Sequence, residues 1–312
     1  MSLDIHSVAL NLCGMLYNVF MLLRAENWND YQCLDAGEGE KLERWGDYIL
    51  RRPDPQAIWP MENQKLWQQA DAIYHRSKSG GGHWEFRKKL PEYWTIQYKN
   101  LTFKVSPTGF KHTGLFPEQA VNWDWMNGLI SSHKQESLRI LNLFAYTGGA
   151  TLACAKAGAA EVVHVDAAKG MIQWAKENRD LSGLQEANIR FLVDDAEKFV
   201  AREKRRGRTY HGILMDPPSY GRGPNGEMWK FEKEIAHLIS SCSEILDENA
   251  LFFLINSYTT GFSSITLRNL MQTILAKQHP NGKVYTGEVA IPIQTREIDL
   301  PCGIYGRWER NV

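Results

Sequence analysis

The chain has 312 residues, and its 36 basic and 36 acidic side chains give a formal net charge of zero. A chain longer than about 250 residues favours two structural parts, and a neutral chain exerts no overall attraction on nucleic acid, although a local basic patch would. The five cysteines lack C-x-x-C spacing, so we expect neither a metal site nor a disulfide framework. A reducing, cytoplasmic setting follows from that expectation.

Residues 1–27 contain an apolar stretch, Val8–Leu23, that Asn11 and Asn18 interrupt. The stretch is short for a membrane span, and no lysine or arginine precedes it as in a signal peptide. We therefore favour a helical or flexible N-terminal extension that does not associate with a membrane, with a targeting or membrane role as the alternative.

Residues 28–105 have the pattern of short strands. Runs such as Tyr31–Leu34 and Tyr93–Tyr98 alternate with turn-forming segments, among them Arg52-Pro53-Asp54-Pro55. Each proline lacks an amide donor and restricts the residue before it, which prevents a helix or a central strand there. This part is predicted to be a small β-rich domain.

Residues 106–312 alternate between apolar runs and helical patterns. The predicted strands are Leu138–Phe144, Glu161–Val165, Ile189–Val193, His211–Met215, Leu251–Asn256, Val284–Ile291 and Ile304–Trp308. Strands that alternate with helices build a mostly parallel sheet with helices on both faces. The sequence therefore predicts an α/β domain with a seven-stranded sheet.

The first strand of this domain ends in a glycine turn. The segment is Asn142-Leu143-Phe144-Ala145-Tyr146-Thr147-Gly148-Gly149. Ligands bind beyond the carboxyl ends of strands in an open α/β sheet, and glycine lets the backbone approach a ligand closely. A tight strand-to-helix turn without a ligand has the same sequence pattern, so this turn is a weak indication by itself.

The next two strands end in acidic residues. Asp166, followed by Ala167, lies about twenty residues past the glycine turn, where a carboxylate binds the two hydroxyls of a ribose; capping of the next helix is the alternative. Of Asp194 and Asp195, which precede Ala196, one is expected to bind an adenine amino group and the other to cap a helix. We favour Asp195 for adenine, and the sequence leaves that choice open. The three turns together predict an adenosine-containing ligand.

The fourth strand ends in Asp216-Pro217-Pro218-Ser219-Tyr220. Two prolines fix the backbone and leave carbonyl groups without the usual ladder bonds. We predict that Asp216, Pro217 and Tyr220 are catalytic, with Asp216 orienting the acceptor and Tyr220 stacking on a planar base. The alternative is an aspartate cap on a proline-stiffened turn.

These stretches together resemble the class I S-adenosylmethionine (SAM)-dependent methyltransferases. The closer resemblance is to the large-subunit ribosomal RNA methyltransferases of the cytosine-C5 and guanine-N7 kinds, over residues 105–260. In that group the segment Lys111–Gln119 packs over the cofactor, which points to Phe116 and Gln119. The segment Leu42–Trp59 is similar to a β module of an uncharacterised bacterial branch.

The resemblance implies a Rossmann-like fold, SAM as the cofactor, S-adenosylhomocysteine as the product, and ribosomal or transfer RNA as the substrate. SAM carries no phosphate, and its sulfonium cation suits a site with several carboxylates. The residues that we assign to cofactor binding are Phe116, Gln119, Asn142, Phe144, Tyr146, Thr147, Gly148, Asp166, Ala167, Asp194, Asp195, Ala196 and Asp216. Whether the chain forms a homo-oligomer is left open.

One departure from the resemblance concerns the chemistry. In the cytosine-C5 enzymes a cysteine after the fifth strand attacks the base, whereas here that strand is followed by Ser257-Tyr258-Thr259-Thr260-Gly261. We therefore expect direct methylation of a nitrogen without a covalent cysteine intermediate. A methyltransferase of a protein or small molecule is an alternative, and a nicotinamide-dependent oxidoreductase is disfavoured because G-x-G-x-x-G is missing.

Overall fold

The computed structural model describes residues 21–77, 81–109, 111–133, 137–222, 228–259 and 261–311. The strands are β1 Met21–Arg24, β2 Tyr31–Gly37, β3 Glu40–Trp45, β4 Tyr48–Pro53, β5 Ala72–Arg76, β6 Gly82–Phe86, β7 Trp94–Tyr98, β8 Leu101–Val105, β9 Arg139–Leu143, β10 Glu161–Asp166, β11 Ile189–Val193, β12 Gly212–Met215, β13 Tyr220–Arg222, β14 Met228–Lys230, β15 Phe252–Ser257, β16 Gly282–Pro292 and β17 Asp299–Arg310. The helices are α1 Gln64–Trp67, α2 Ala120–Ser132, α3 Gly149–Lys156, α4 Lys169–Leu181, α5 Ala196–Arg205, α6 Phe231–Ser243, α7 Ser264–Leu270 and α8 Ala276–Gln278. A 3₁₀ turn, Pro117–Gln119, precedes α2, and a π turn, Met271–Leu275, joins α7 to α8.

The main sheet has the strand order β1-β16-β17-β15-β12-β9-β10-β11. Its strands are parallel except β17, which runs antiparallel to both β15 and β16. The central strands β12 and β15 are buried along their whole length, as expected for a sheet that helices cover on both faces. The predicted Rossmann-like α/β fold is confirmed.

The sheet has one strand more than we predicted. Met21–Arg24 forms β1 and pairs parallel with β16, from Met21 opposite Gly287 to Arg24 opposite Ala290. We had assigned these residues to a helical or flexible extension; a four-residue edge strand without flanking turn residues is too weak a pattern to recognise. Residues 1–20 of that predicted extension lie outside the described residues. In the part of the chain that is described, no helix has the length and apolarity that a membrane crossing requires.

The predicted β-rich domain is confirmed as a five-stranded sheet with the order β2-β3-β4-β5-β6. The hairpin β7–β8, which we had assigned to the same domain, contacts both parts of the chain. The Trp94 indole donates to the Trp45 carbonyl at 2.9 Å, and the Gln97 amide donates to Asp30 at 2.8 Å. The Ser182 hydroxyl accepts from the Thr102 amide at 3.0 Å, and Asn178 accepts from the Lys104 amide at 2.8 Å. The two parts of the chain therefore share an extensive boundary.

A buried ion network in the β-rich domain reaches that boundary. Glu43 is fully buried and accepts from the Arg52 guanidinium at 2.6 and 2.8 Å, and the Lys41 ammonium lies 3.6 Å from it. Arg52 also donates to the main-chain carbonyl of Lys111 at 2.8 Å. The network thus holds the segment that leads into Phe116 and α2.

Candidate active site

A cavity of about 350 Å³ lies at the carboxyl ends of β9 to β12 and is called the strand-end cavity here. This volume is typical of sites for small molecules and cofactors. The predicted site residues in its wall are Phe116, Phe144, Tyr146, Asp166, Ala167, Asp194, Asp195, Ala196, Asp216 and Pro217. The parallel strands therefore bring together most of the residues that we selected from four separate turns.

Three predicted residues lie deeper in the protein. Gln119, Asn142 and Thr147 line a small adjoining cavity of about 60 Å³. Asn142 donates to the Thr151 hydroxyl at 2.9 Å, and the Thr147 hydroxyl donates to the Gly114 carbonyl at 2.6 Å. Asn142 and Thr147 thus help to hold the glycine turn in place, whereas Gln119 donates to the Tyr258 hydroxyl and accepts from Asn122.

The glycine pair has a packing role that we did not predict. Gly148 adopts a left-handed backbone with φ of 90°, and a Cβ there would lie 3.1 Å from the Ala175 Cβ. A Cβ on Gly149 would lie 2.6 Å from the Trp123 ring. We had expected these glycines to let a ligand approach the backbone. In the structure, their missing side chains leave room for α4 and for the ring of Trp123.

The same turn contains two residues other than glycine in the left-handed region, Phe144 with φ of 54° and Tyr146 with φ of 50°. Such backbones cost about 1 to 2 kcal/mol and are concentrated at functional sites. Asp166 holds the turn, because its two oxygens accept from the amides of Tyr146 and Ala168, each at 2.8 Å. Each carboxylate oxygen has a second lone pair, so Asp166 can hold the turn and still accept from a ligand.

The two consecutive aspartates have different partners. Asp195 is the N-cap of α5 and accepts from the Lys198 amide at 2.9 Å. Asp194 accepts from the Asp195 amide at 2.9 Å and forms an ion pair with Arg202. The capping role therefore falls to Asp195, which we had favoured for adenine. Both side chains line the strand-end cavity, so the adenine assignment stays a prediction.

Asp216 is an acid of the site with an unsatisfied oxygen, as is Glu197. The Oδ1 atom of Asp216 is buried and has no hydrogen-bond partner among the described residues. Burial, with a smaller contribution from the nearby Glu118, raises the pKa of Asp216 to about 8. A buried polar atom without a partner is costly, and a hydrogen-bond donor or cation in the cavity would remove that cost.

Tyr220 lies outside the strand-end cavity, and its stacking on a substrate base stays a prediction. It begins β13, its ring is half-exposed, and its hydroxyl donates to the Met228 sulfur at 3.2 Å. Successive side chains of a strand point to opposite faces, and the cavity-lining residue is the neighbour, Gly221. The aromatic ring in the wall is Trp229, which packs on Phe144 with ring centres 5.2 Å apart.

Trp229 also changes the expected role of the double proline. Its indole N–H donates to the Pro218 carbonyl at 2.6 Å. One of the carbonyls that we expected to face a ligand is therefore bound within the protein. Pro217 remains in the cavity wall beside Asp216.

Tyr258 is a site residue that the sequence reasoning missed. It lines the strand-end cavity, packs on the Phe116 ring at 5.7 Å and accepts from the Gln119 amide at 2.6 Å. Burial raises its pKa well above the usual range, so the phenol is neutral. Its position directly after β15 was the available signal, but we searched that strand end for a cysteine only.

A second cavity of about 480 Å³ lies between the β-rich domain and the α/β domain and is called the interdomain cavity here. His112, Phe116 and Tyr258 line both this cavity and the strand-end cavity. The two cavities are therefore adjacent and meet at these three rings.

Cys302 lies in the wall of the interdomain cavity, which its position near the end of the chain did not suggest. Its thiol donates to the Leu300 carbonyl at 3.4 Å. Burial raises its pKa well above the usual value for a thiol. The thiolate, which is the nucleophilic form, is therefore disfavoured at neutral pH.

An open, mostly parallel sheet with one antiparallel strand near its edge, and with carboxylates and a glycine turn at successive strand ends, defines a class I methyltransferase. The model of the S-adenosylmethionine-dependent methyltransferase family matches residues 69–262. The chain belongs to this family. SAM is accordingly its cofactor, and the nicotinamide-dependent alternative is not supported.

Similar proteins agree with this assignment. The crystal structure of a SAM-dependent methyltransferase from Agrobacterium tumefaciens has 39% identity and a TM-score of 0.89, covering 94% of this chain and 95% of that one. Ribosomal RNA large subunit methyltransferase K/L of Shewanella frigidimarina is 28% identical over 58% of this chain and 25% of its own length. Ribosomal RNA large subunit methyltransferase I of Aeromonas salmonicida is 32% identical over 44% of this chain and 33% of its own. The matches to these two relatives thus span a quarter to a third of their lengths.

Proposed function

We propose that the protein methylates a nitrogen of a nucleobase in RNA by direct transfer from SAM. The observation that carries the proposal is Asp216, a buried acid with an unpartnered oxygen at the Pro-Pro turn, in the wall of the strand-end cavity. The names of the relatives, which describe ribosomal RNA methyltransferases, support RNA as the substrate class.

In this proposal the strand-end cavity holds the cofactor, which supplies an activated methyl group when bound. Asp166 would accept from the ribose hydroxyls, and Asp194 or Asp195 from the adenine amino group. The rings of Phe116 and Tyr146 would cover the apolar part of the ligand. The uncommitted oxygen of Asp216 would face the reacting end.

Direct transfer requires alignment and the exclusion of water. An acceptor nitrogen that enters the cavity beside Tyr258 would lie next to Asp216, and the surrounding aromatic rings would exclude water. Asp216 would accept a hydrogen bond from an N–H group of the base and so hold the lone pair of the acceptor in line. A carboxylate is suited to this role because it is an acceptor with two oxygens.

The first prediction concerns Asp166. Asp166→Ala removes two ligand acceptors and the support of the Tyr146 amide, and hydrogen bonds to a charged group contribute about 1.5 to 3 kcal/mol each. We expect SAM affinity to fall by about 100-fold, measured by isothermal titration calorimetry. Asp166→Asn, which keeps one oxygen acceptor, should lose less; equal affinity of all three proteins would contradict the role.

The second prediction concerns the cysteine-independent mechanism. We expect Cys302→Ala to keep the methyl-transfer rate within about threefold of the wild type, since a neutral, hydrogen-bonded thiol is not a nucleophile. A covalent nucleophile would instead lose at least about a thousandfold. The measurement is transfer of labelled methyl to RNA, and a loss of that size would establish covalent chemistry in place of direct transfer.

The substrate class is tested with total ribosomal and transfer RNA from a strain that lacks the protein, because such RNA is unmethylated at the true site. We expect labelled methyl from SAM in an RNA fraction, and nuclease digestion should release it as an N-methylated nucleoside. Label in protein or small molecules, with none in RNA, would overturn the proposal. We also propose a cytoplasmic location, where ribosomal RNA is found, and we keep the homo-oligomer as an open alternative.

A further inference from the structure

The interdomain cavity is placed to hold the group that receives the methyl. It shares His112, Phe116 and Tyr258 with the strand-end cavity, so the two cavities are adjacent at these rings. Its volume of about 480 Å³ is in the range of sites for small molecules. The strand-end cavity is assigned to the cofactor, and the acceptor needs a separate entrance.

The interdomain cavity contains an uncommitted cation. Lys111 lines it, is half-buried, and has no ion-pair partner among the described residues. Lys41 and Arg52 line the same cavity, but Lys41 lies 3.3 Å from Asp54, and Arg52 is bound to Glu43.

The surroundings of Lys111 favour an anion. Burial and the neighbouring cations Lys41 and Arg52 lower the pKa of Lys111, although Asp54 opposes the effect. An ammonium in such a position is stabilised by a negative ligand. A phosphate group has the charge and the acceptor oxygens that Lys111 lacks in the protein.

The aromatic side chains of the interdomain cavity suit a planar base. Phe116 and Tyr258 present rings that are tilted by 32° to each other, and aromatic rings stack on any nucleobase. Glu118, which lines the same cavity, is 6% exposed; burial raises the pKa of its carboxyl, and the charge of Lys41 opposes the effect. Its oxygens can accept from an N–H group at the edge of the base.

We propose that the interdomain cavity holds the acceptor nucleotide of an RNA strand, with its phosphate at Lys111 and its base against the ring of Phe116, near Tyr258 and Glu118. The proposal rests on RNA being the substrate. Asp54, Glu118 and Glu288 also line the cavity, but a lysine or arginine side chain of a protein would bring a second positive charge to the uncommitted Lys111, which disfavours it. The β-rich domain thereby supplies part of the acceptor site.

The test is Lys111→Gln, measured with ribosomal RNA from a strain that lacks the protein. Loss of one phosphate contact reduces the slope of log affinity against log salt by about 0.7 to 0.9. We expect that change, together with a rise in KM for RNA of about tenfold and an unchanged affinity for SAM. Lys111→Arg should restore the salt slope, because the guanidinium also binds phosphate.

The control is Lys277→Gln, since Lys277 is exposed on α8 and lines neither cavity. It should leave the salt slope and KM unchanged. If Lys111→Gln behaves like this control while the RNA is methylated, the acceptor site lies elsewhere and the proposed function stands. A loss of SAM affinity in Lys111→Gln would also overturn the inference, and an absence of RNA methylation by the wild type would overturn the proposed function itself.

Discussion

The protonation of Asp216 depends on what the strand-end cavity contains. Burial and the neighbouring Glu118 raise its pKa to about 8, so the carboxyl of the free protein is mostly protonated at pH 7. A cation next to a carboxyl favours the charged form. SAM carries a sulfonium cation and S-adenosylhomocysteine does not, so the two ligands should differ in how strongly they drive the release of this proton.

This difference predicts a pH dependence of a defined sign. Because SAM is expected to bind more tightly beside the ionised carboxylate, the ratio of SAM affinity to S-adenosylhomocysteine affinity should rise from pH 6 to 8 by up to about tenfold per pH unit, and level off above pH 8. Groups whose pKa changes by the same amount on binding either ligand do not affect this ratio. Titration calorimetry with both ligands across this range measures it.

Asp216→Asn is the matched variant, since it keeps the shape of the side chain and removes the titrating proton. Its affinity ratio should not change with pH. A flat ratio in the wild type would show that the sulfonium and Asp216 do not interact.

The site residues that were predictable and those that were not differ in a physical way. Asp166 and Asp216 end parallel strands, and the ends of such strands meet at one edge whatever the details of packing. Trp229 lines the cavity and Tyr220 does not. This difference depends on the register of the β13–β14 hairpin, which no local pattern specifies. Cys302 comes from the other end of the domain, and only tertiary structure brings it to the cavity.

At the scale of single elements, the turn between β9 and α3 shows how a glycine can be required for packing. Gly149 is the first residue of α3, and its missing side chain makes room for the buried Trp123 of α2. Trp123 in turn contacts the rings of Trp28, Tyr98 and Phe103. This aromatic cluster therefore packs behind the turn that leads to the cavity and stabilises it.

Gly149→Ala should destabilise the protein even though alanine is the better helix former. Its Cβ would lie 2.6 Å from the Trp123 ring, and overpacking of this kind costs about 1 to 3 kcal/mol. Gly170→Ala is the control, because Gly170 lies in α4, is exposed, and a Cβ at this position would meet nothing within 4 Å. It should stabilise by up to about 1 kcal/mol. Urea denaturation measures both, and equal shifts would contradict the packing role.

Elements were predictable where burial is continuous. β12 and β15 are apolar runs covered on both faces, a pattern that the sequence displays directly. The edge strand β1 is short, and the π turn at Met271–Leu275 interrupts the helical segment from α7 to α8. The pairing of β1 depends on a partner far along the chain, so a local pattern cannot reveal it.

At the scale of the whole molecule, the ion network around Glu43 connects the two domains. Burial alone would raise the pKa of Glu43, but the charges of Arg52 and Lys41 outweigh it and lower the pKa to about 2. The Tyr31 hydroxyl donates to the same carboxylate at 2.8 Å. Arg52 then fixes the Lys111 carbonyl, so a side chain of the β-rich domain shapes the loop of the α/β domain.

Glu43→Gln should lower the free energy of unfolding by about 3 to 5 kcal/mol, since it leaves two buried cations with one counter-charge fewer. Glu40→Gln is the control: Glu40 lies on the same strand, pairs with Arg51 and is more exposed, so its loss should cost at most about 1 kcal/mol. Chemical denaturation at pH 7 measures both, and similar costs would show that the buried network contributes no more than a surface pair.

The same residue predicts a change of stability in acid. A carboxyl with a lowered folded-state pKa stabilises the fold above its unfolded pKa, about 4.3, and loses that contribution as the pH falls toward the folded value of about 2. The stability gap between wild type and Glu43→Gln should therefore narrow between about pH 4.5 and 2. A gap that stays constant over this range would assign the stabilisation to packing.

The pairing of β1 with β16 has a consequence for the order of events during synthesis. Met21 pairs with Gly287, so one of the earliest described segments cannot find its partner until almost the whole chain has left the ribosome. Until β1 adds to the sheet, β16 has an uncovered edge, which is a ready template for strands of other molecules. Closing so long a loop is slow. A chain in which β1 has not yet paired therefore exposes this edge to other molecules.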